Sequence, residues 1–112
     1  MSGIKFTNGT ILDTKMLNKI NIFSKGQNRE ALEAHLSAVL YSFDDLYQLA
    51  SNSSNLGNIF VLDGTSEYVY PNYEIFHSLK FENDEFVLVI GQLTEQEIKY
   101  NELLERIEAL EK

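Results

Sequence analysis

The sequence predicts an α+β domain with an antiparallel β-sheet, one short packed helix and an amphipathic helix at the C-terminal end. Three observations support this fold class. Residues 86–90 are all apolar, as in a strand that is buried on both faces. Asn8-Gly9 and Asp63-Gly64 favour tight hairpin turns. From Leu93 the apolar spacing changes from every second residue to every third or fourth, which indicates a helix. The sheet could fold over into a small sandwich.

The first strands follow from local patterns. Residues 4–7 and 10–12 flank Asn8-Gly9, which tolerates the two positive φ angles of a type I′ turn, so we predict a hairpin. A third apolar stretch over residues 16–23 alternates with polar residues in its second half. Residues 24–28 are polar or glycine and predict a loop.

Residues 29–40 fit two patterns, because their apolar side chains share one helical face and also alternate with polar residues. Helix propensity favours the first interpretation. However, Ser42 is a good N-cap and is followed by acidic residues, so a new helix begins there. This favours a strand over residues 31–39 and a short helix over residues 43–50, although the residues alone leave the first segment open.

The next apolar segments predict an antiparallel meander of three arms. Residues 58–62 form a strand that ends at Asp63-Gly64, and the returning arm covers residues 68–81. A polar turn over residues 82–84 leads back into the apolar strand of residues 86–90. We expect this last arm to be the central strand of the sheet.

The C-terminal segment, residues 93–112, predicts an oligomerisation helix. Thr94 and Glu97 have the spacing of a capping box, so the helix begins at Glu95. Arg106 and Glu111 have the g-to-e spacing that suits parallel coiled-coil strands. Two and a half heptads form a weak coiled coil alone. The a and d positions are Leu93, Gln96 and the four predicted oligomerisation residues Tyr100, Leu103, Ile107 and Leu110. Docking of this helix on its own domain is the alternative.

Composition limits the classes of function. The chain has 112 residues, a net charge of −8 and no cysteine. Phosphate binding needs clustered Lys and Arg, so we expect no nucleic-acid partner. Without cysteine there is neither a disulfide nor a thiolate zinc site. The sequence has no apolar run of membrane-spanning length and no signal-peptide pattern, so we expect no membrane partner.

Nothing in the sequence indicates catalysis. His35 and His77 are far apart and lack further ligands, so we expect neither a metal nor another cofactor. Asp44 and Asp45 directly follow an N-cap and are explained as charges at a helix N-terminus rather than as a catalytic pair. No glycine lies in a phosphate-binding motif. We therefore predict a protein that is not an enzyme.

A tyrosine cluster surrounds the only proline of the chain, Pro71. Tyrosines at a bend can form a recognition patch, because they offer a large contact area and a polar tip. Alternate tyrosines also favour a sheet face, where they would serve packing alone. The candidate patch is formed by Tyr68, Tyr70 and Tyr73.

In this order the features resemble a family of small proteins that are encoded beside the tail-fibre and baseplate genes of tailed phages and prophages of Gram-positive bacteria. The matching segments are the strand pair at Asn8-Gly9, residues 26–33, residues 43–49, Tyr73 in a long strand, residues 87–95 and the Glu-rich C-terminal helix. The resemblance implies a strand after Arg29. It also implies an accessory protein that is associated with the virion or present in the host cytoplasm, with other tail or baseplate proteins as partners and no catalytic residue.

We thus expect a β-rich domain over residues 1–92 with a helix over residues 93–112, which assembles as a homo-oligomer. The preferred function is that of a non-enzymatic structural or accessory protein of a phage tail or baseplate. One alternative is a small acidic inhibitor or regulator that binds a basic protein partner. Another is a sugar-binding module that uses the tyrosine bend.

Overall fold

The computed structural model describes residues 2–110, which form two four-stranded antiparallel sheets and two α-helices. The elements in chain order are β1 (Ser2–Lys5), β2 (Ile11–Asp13), β3 (Met16–Ser24), β4 (Gln27–Ser37), α1 (Phe43–Ser51), β5 (Gly57–Asp63), β6 (Ser66–Tyr73), β7 (Ile75–Glu82), β8 (Glu85–Gly91) and α2 (Glu95–Leu110). The strand order is β2-β1-β5-β6 in the first sheet and β3-β4-β8-β7 in the second. The predicted α+β class is confirmed, with the strands arranged as a small sandwich.

The two sheets enclose one main apolar core, and β8 has an interior position in the second sheet. Phe86, Leu88 and Ile90 of this strand point into the core, while Val87 and Val89 pack with a smaller cluster on the other face of the sheet. Each fully buried apolar side chain of this size contributes about 1.5–3 kcal/mol. The central strand with two buried faces was therefore predicted correctly.

The ambiguous segment over residues 29–40 is a strand for most of its length. β4 ends at Ser37 and pairs with β3 on one side and with β8 on the other. Helix α1 then begins where the sequence predicts it, and Ser42 Oγ accepts a hydrogen bond from the backbone N–H of Asp45 at 3.2 Å. This segment forms a strand despite its helix propensity, because the alternating pattern lets Leu32 and Leu36 enter the core between two neighbouring strands.

Two hairpin turns differ from the prediction. Residues 24–28 are not a loop, because Lys25 and Gly26 both have positive φ angles, of 54° and 78°, and form a two-residue turn between β3 and β4. In the first hairpin only Gly9 has a positive φ, of 89°, and its N–H donates to the Phe6 carbonyl at 2.9 Å. The predicted type I′ turn at Asn8-Gly9 is therefore wrong, although the hairpin itself forms.

The predicted meander is wrong at its second arm, which divides between the two sheets at Glu74. β6 pairs with β5 in the first sheet, and β7 pairs with β8 in the second. Pro71 has no N–H to donate, and Asn72 has a φ of 64°, so the pairing of β6 with β5 shifts register here before β6 ends at Tyr73. The crossing of one arm between sheets closes the sandwich.

The alternation predicted for the second arm also fails within β7. The pairing with β8 shifts register between Phe76 and Ser78, so His77 lies in a bulge and is exposed. After the bulge the strand has changed phase, and Leu79 joins Phe76 beside the main core. His77 therefore does not share an inner face with Ile75, as the simple alternation predicts.

Helix α2 extends away from the sandwich. Every residue from 99 to 110 is exposed. The described chain measures 51 × 31 × 23 Å and has a radius of gyration of 15.2 Å. A compact domain of this length has a radius of gyration of about 13 Å. The sixteen residues of α2 span about 24 Å and account for the elongated shape.

Candidate functional site

An exposed apolar stripe follows one face of α2. Its members are between 40% and 86% exposed and lie three or four residues apart, so they share one side of the helix. None of the residues of α2 is buried. The stripe consists of Tyr100, Leu103, Leu104, Ile107 and Leu110. Within residues 2–110 the helix beyond its first turn therefore does not dock on its own domain, and all four predicted oligomerisation residues lie at the surface.

The sequence prediction missed Leu104. It lies four residues after Tyr100 and three before Ile107, so it widens the a/d stripe at an e position. This spacing was a usable signal. The opposite face carries Glu102 and Ala109 and has no large apolar side chain at these two positions. The predicted pairing of Arg106 with Glu111 lies outside the described residues.

The first turn of α2 has the predicted capping box. The backbone N–H of Thr94 donates to Glu97 Oε1 at 2.8 Å, and the N–H of Glu97 donates to Thr94 Oγ1 at 3.2 Å. These bonds satisfy two donors that a helix N-terminus otherwise leaves free. The helix start is therefore fixed locally before any tertiary contact is considered.

A buried arginine holds this first turn against the sandwich. Arg29 on β4 has no exposed side-chain surface and donates to Glu97 Oε1 at 2.5 Å and Oε2 at 3.1 Å. The same guanidinium donates to the carbonyls of Gln92 at 3.1 Å and Ser24 at 3.0 Å. The hydrogen bonds from Arg29, helped by those from Thr94, lower the pKa of Glu97 to about 2. One cation thus joins the β3–β4 turn, the β8–α2 linker and the helix.

Space for Arg29 depends on Gly91, the last residue of β8. A Cβ at this position would lie 3.0 Å from Cδ of Arg29 and 3.5 Å from Cβ of Ile75. Because four hydrogen bonds hold the guanidinium in place, the arginine cannot easily move away. The glycine that ends the strand therefore also makes room for the cation beneath the helix.

Backbone hydrogen bonds fix the linker to both sheets. The N–H of Gln92 donates to the carbonyl of Glu30 in the second sheet, and the N–H of Leu93 donates to the carbonyl of Asn72 in the first, each at 2.8 Å. The side-chain amide of Gln92 donates to the carbonyl of Pro71 at 3.1 Å. The linker has little freedom, so the direction of α2 is set by the sandwich.

A cleft of about 500 Å³ lies between the β3–β4 turn and the first turns of α2. Lys25 and Gln27 form one wall, and Leu93 of the linker and Gln96 and Tyr100 of the helix form the other. These last three residues are the first predicted a and d positions. The apolar stripe therefore continues into a recess at the base of the helix.

The three tyrosines do not form one surface patch. Tyr73 is fully buried, and its hydroxyl donates to Glu30 Oε2 at 2.6 Å; burial raises its pKa. Tyr70 is half-buried and packs edge-on against Tyr73, with ring centroids 5.8 Å apart. Of the three only Tyr68 is exposed. Tyr70 and Tyr73 both face the core because the pairing of β6 with β5 shifts register between them, so that three steps along β6 match two steps along β5.

The histidines are separated and have different surroundings. His35 Nδ1 lies 2.5 Å from Glu85 Oε1, and its Nε2 lies 2.9 Å from Glu33 Oε1. Hydrogen bonds to the two carboxylates, Glu33 first, raise the pKa of His35. Both ring nitrogens face carboxylate oxygens, so this cluster joins β4 to β8 and forms an ion pair when His35 is protonated. Over residues 2–110 no group of three His, Cys, Asp or Glu side chains is placed to hold a metal ion.

Comparisons with known proteins identify no relative of this chain. Neither of the helices, across residues 2–110, combines the length and the apolar character that crossing a membrane requires. The chain matches no protein-family model, no curated protein and no solved structure. Inference about function therefore starts from the geometry of α2 and its base.

Proposed function

We propose that the protein is a non-enzymatic assembly component that acts through protein–protein contacts, with α2 as its oligomerisation segment. One observation carries this proposal: a helix with a fixed base has an apolar stripe that nothing in residues 2–110 covers. Contiguous apolar surface of this kind marks an interaction site, because burying it removes apolar area from water. The a/d spacing of Tyr100, Leu103, Ile107 and Leu110 suits the seam of a coiled coil.

The fixed base supports assembly by a short helix. An isolated helix of sixteen residues is marginal in water, because forming its first turn is unfavourable. Here Thr94, Glu97 and Arg29 already hold that turn in place. Association then orders mainly the last three turns, so less conformational entropy is lost on binding. A coiled coil of two and a half heptads, which is weak alone, can then hold two copies of the chain together.

We also propose that the assembly belongs to a phage tail or baseplate, with other tail or baseplate proteins as further partners. The support is the resemblance described above, which includes residues 26–33 and residues 87–95. Both segments lie at the base of α2, where β4 provides Arg29 and β8 leads into the linker. A symmetric homo-oligomer formed through the helix would suit such a structure.

The direct test is the native mass of the full chain and of a version that ends at Ile98, measured by light scattering after size exclusion. Ending at Ile98 keeps Glu97, so the buried Arg29 retains its partner while the apolar stripe is lost. We expect a dimer or trimer for the full chain and a monomer for the shortened one. The β-sheet signal in far-ultraviolet circular dichroism should be the same for both. A full chain that stays monomeric up to millimolar concentration would refute the proposal.

A further inference from the structure

A second exposed apolar surface lies at the end of the sandwich that is remote from the base of α2. Strand β8 runs from Glu85 to Gly91, and the linker to α2 follows Gly91. Phe86, near the first end of this strand, is about 17 Å from Gly91 along the chain direction. The two surfaces are therefore separate and can be occupied together.

Four aromatic rings, each packed against at least one of the others, form this surface, which we call the aromatic pole and define as Phe43, Tyr47, Phe81 and Phe86. The ring of Phe86 lies beneath, with centroid distances of 6.3 Å to Phe43 and 5.4 Å to Phe81. Tyr47 stacks on Phe43 at 6.1 Å, with an interplanar angle of 10°. Phe43, Tyr47 and Phe81 are between 44% and 60% exposed. Three large rings thus offer their faces or edges to solvent.

The aromatic pole is not simply the edge of the core. Helix α1 buries Leu46 and Ala50, whereas Phe43 and Tyr47 lie on the flank of the same helix, one turn apart. Val39 and Leu40, in the turn that precedes α1, are also strongly exposed. Aromatic side chains at this degree of exposure are typical of binding hot spots, because they bring a large contact area at low entropic cost.

Three acidic residues are close to these rings in sequence. Asp44 and Asp45 follow Phe43 in the first turn of α1, and Asp84 precedes Phe86 by two residues in the turn between β7 and β8. Within residues 2–110 none of these three takes part in an ion pair, whereas Glu82 is paired with Lys80 at 3.3 Å. The pole is therefore apolar at its centre and negative at its rim.

We propose that the aromatic pole binds a segment of another protein that presents one or two apolar side chains flanked by Lys or Arg. The rings accept the apolar side chains and attract cations through their faces, and the acidic rim attracts basic groups. A second copy of α2 is a poor occupant, because its described part has five Glu against Lys99 and Arg106. The inference does not depend on oligomerisation through α2.

A random library of 12-residue peptides displayed against the immobilised full chain tests this inference. We expect selection of peptides that combine an aromatic or branched aliphatic residue with neighbouring Lys or Arg. Exchanging Phe43 and Phe81 for Ser should weaken binding of the best selected peptide at least tenfold. Exchanging Val69 on β6 for Ser, which is 55% exposed in the other sheet, should leave binding unchanged.

The charge reversal D44K together with D84K keeps the rings and guards against a folding defect in the Ser variant. It should also weaken the selected peptide about tenfold, and added salt should reduce its affinity for the natural chain. Selected peptides without basic residues, or with equal affinity for the natural chain and both double variants, would overturn the inference. So would a selection that enriches no sequence.

Discussion

Replacing both Leu103 and Ile107 with Asp is expected to convert the proposed oligomer into a monomer without unfolding the sandwich. Both side chains are about half exposed in the single chain, so their loss removes no core contact. In a coiled coil they would lie at d and a positions, where two unpaired carboxylates per helix would be desolvated. We expect the association constant to fall by more than a thousandfold, equivalent to about 4 kcal/mol. Sedimentation velocity over a range of concentrations measures this.

Ala109→Asp is the matched control for the added charge. Ala109 lies at a c position, on the side of α2 opposite the stripe. The substitution Ala109→Asp introduces the same side chain at an exposed helix site, so it should leave the sedimentation coefficient unchanged. Persistence of the oligomer in the double variant would place the interface elsewhere on the molecule.

Replacing Glu97 with Gln is expected to reduce the free energy of unfolding by about 3 kcal/mol at pH 7, because a buried cation loses its charged partner. Arg29 has no exposed side-chain surface and directs two of its four hydrogen bonds at this carboxylate. The substitution also weakens the capping box at Thr94. Urea unfolding followed by circular dichroism measures the difference.

The ion pair between Arg29 and Glu97 also predicts that the free energy of unfolding depends on pH, with a defined sign. The pKa of Glu97 falls from an ordinary value of 4.5 to about 2 in the folded chain. Its stabilising contribution is therefore complete above pH 4.5 and is lost as the pH falls toward 2. The stability difference between the natural chain and Glu97→Gln should narrow over this window.

Glu95→Gln is the control on the same turn. Glu95 is exposed and pairs with Lys99 at 3.2 Å across one helical turn, so its loss should change stability by less than about 0.5 kcal/mol. A difference for Glu97→Gln that is equally small at pH 7, or that does not vary between pH 4.5 and 2, would show that the buried pair does not stabilise the fold.

Several elements of this fold could be predicted from local patterns, because those local signals agree with the tertiary structure. The apolar run in β8, the N-cap at Ser42 and the capping box at Thr94 are examples. Division of the strands between two sheets could not be predicted. It takes place at Glu74, between β6 and β7, and a count of alternating residues detects neither this break nor the irregularities at Asn72 and His77 on its two sides.

The candidate site was predicted in part. The spacing of Tyr100, Leu103 and Ile107 indicates an amphipathic helix, but the same stripe would suit docking on the domain, so exposure had to come from the structure. Burial of Arg29 had no local signal, because its partner is 68 residues away in the chain. The tyrosines do not form a patch because the register shift at Pro71-Asn72 turns Tyr73 inward beside Tyr70, which a count of residues in the sequence does not detect.

Oxidative cross-linking at single cysteines tests the role of α2 most directly. The natural chain has no cysteine, so Leu103→Cys carries a unique thiol at a d position of the stripe. In a parallel coiled coil the two thiols lie within the reach of a disulfide, with Cα atoms about 6 Å apart. We predict a covalent dimer for Leu103→Cys and none for Glu102→Cys on the opposite face. No cross-link at position 103, or equal yields at both positions, would contradict assembly through this helix.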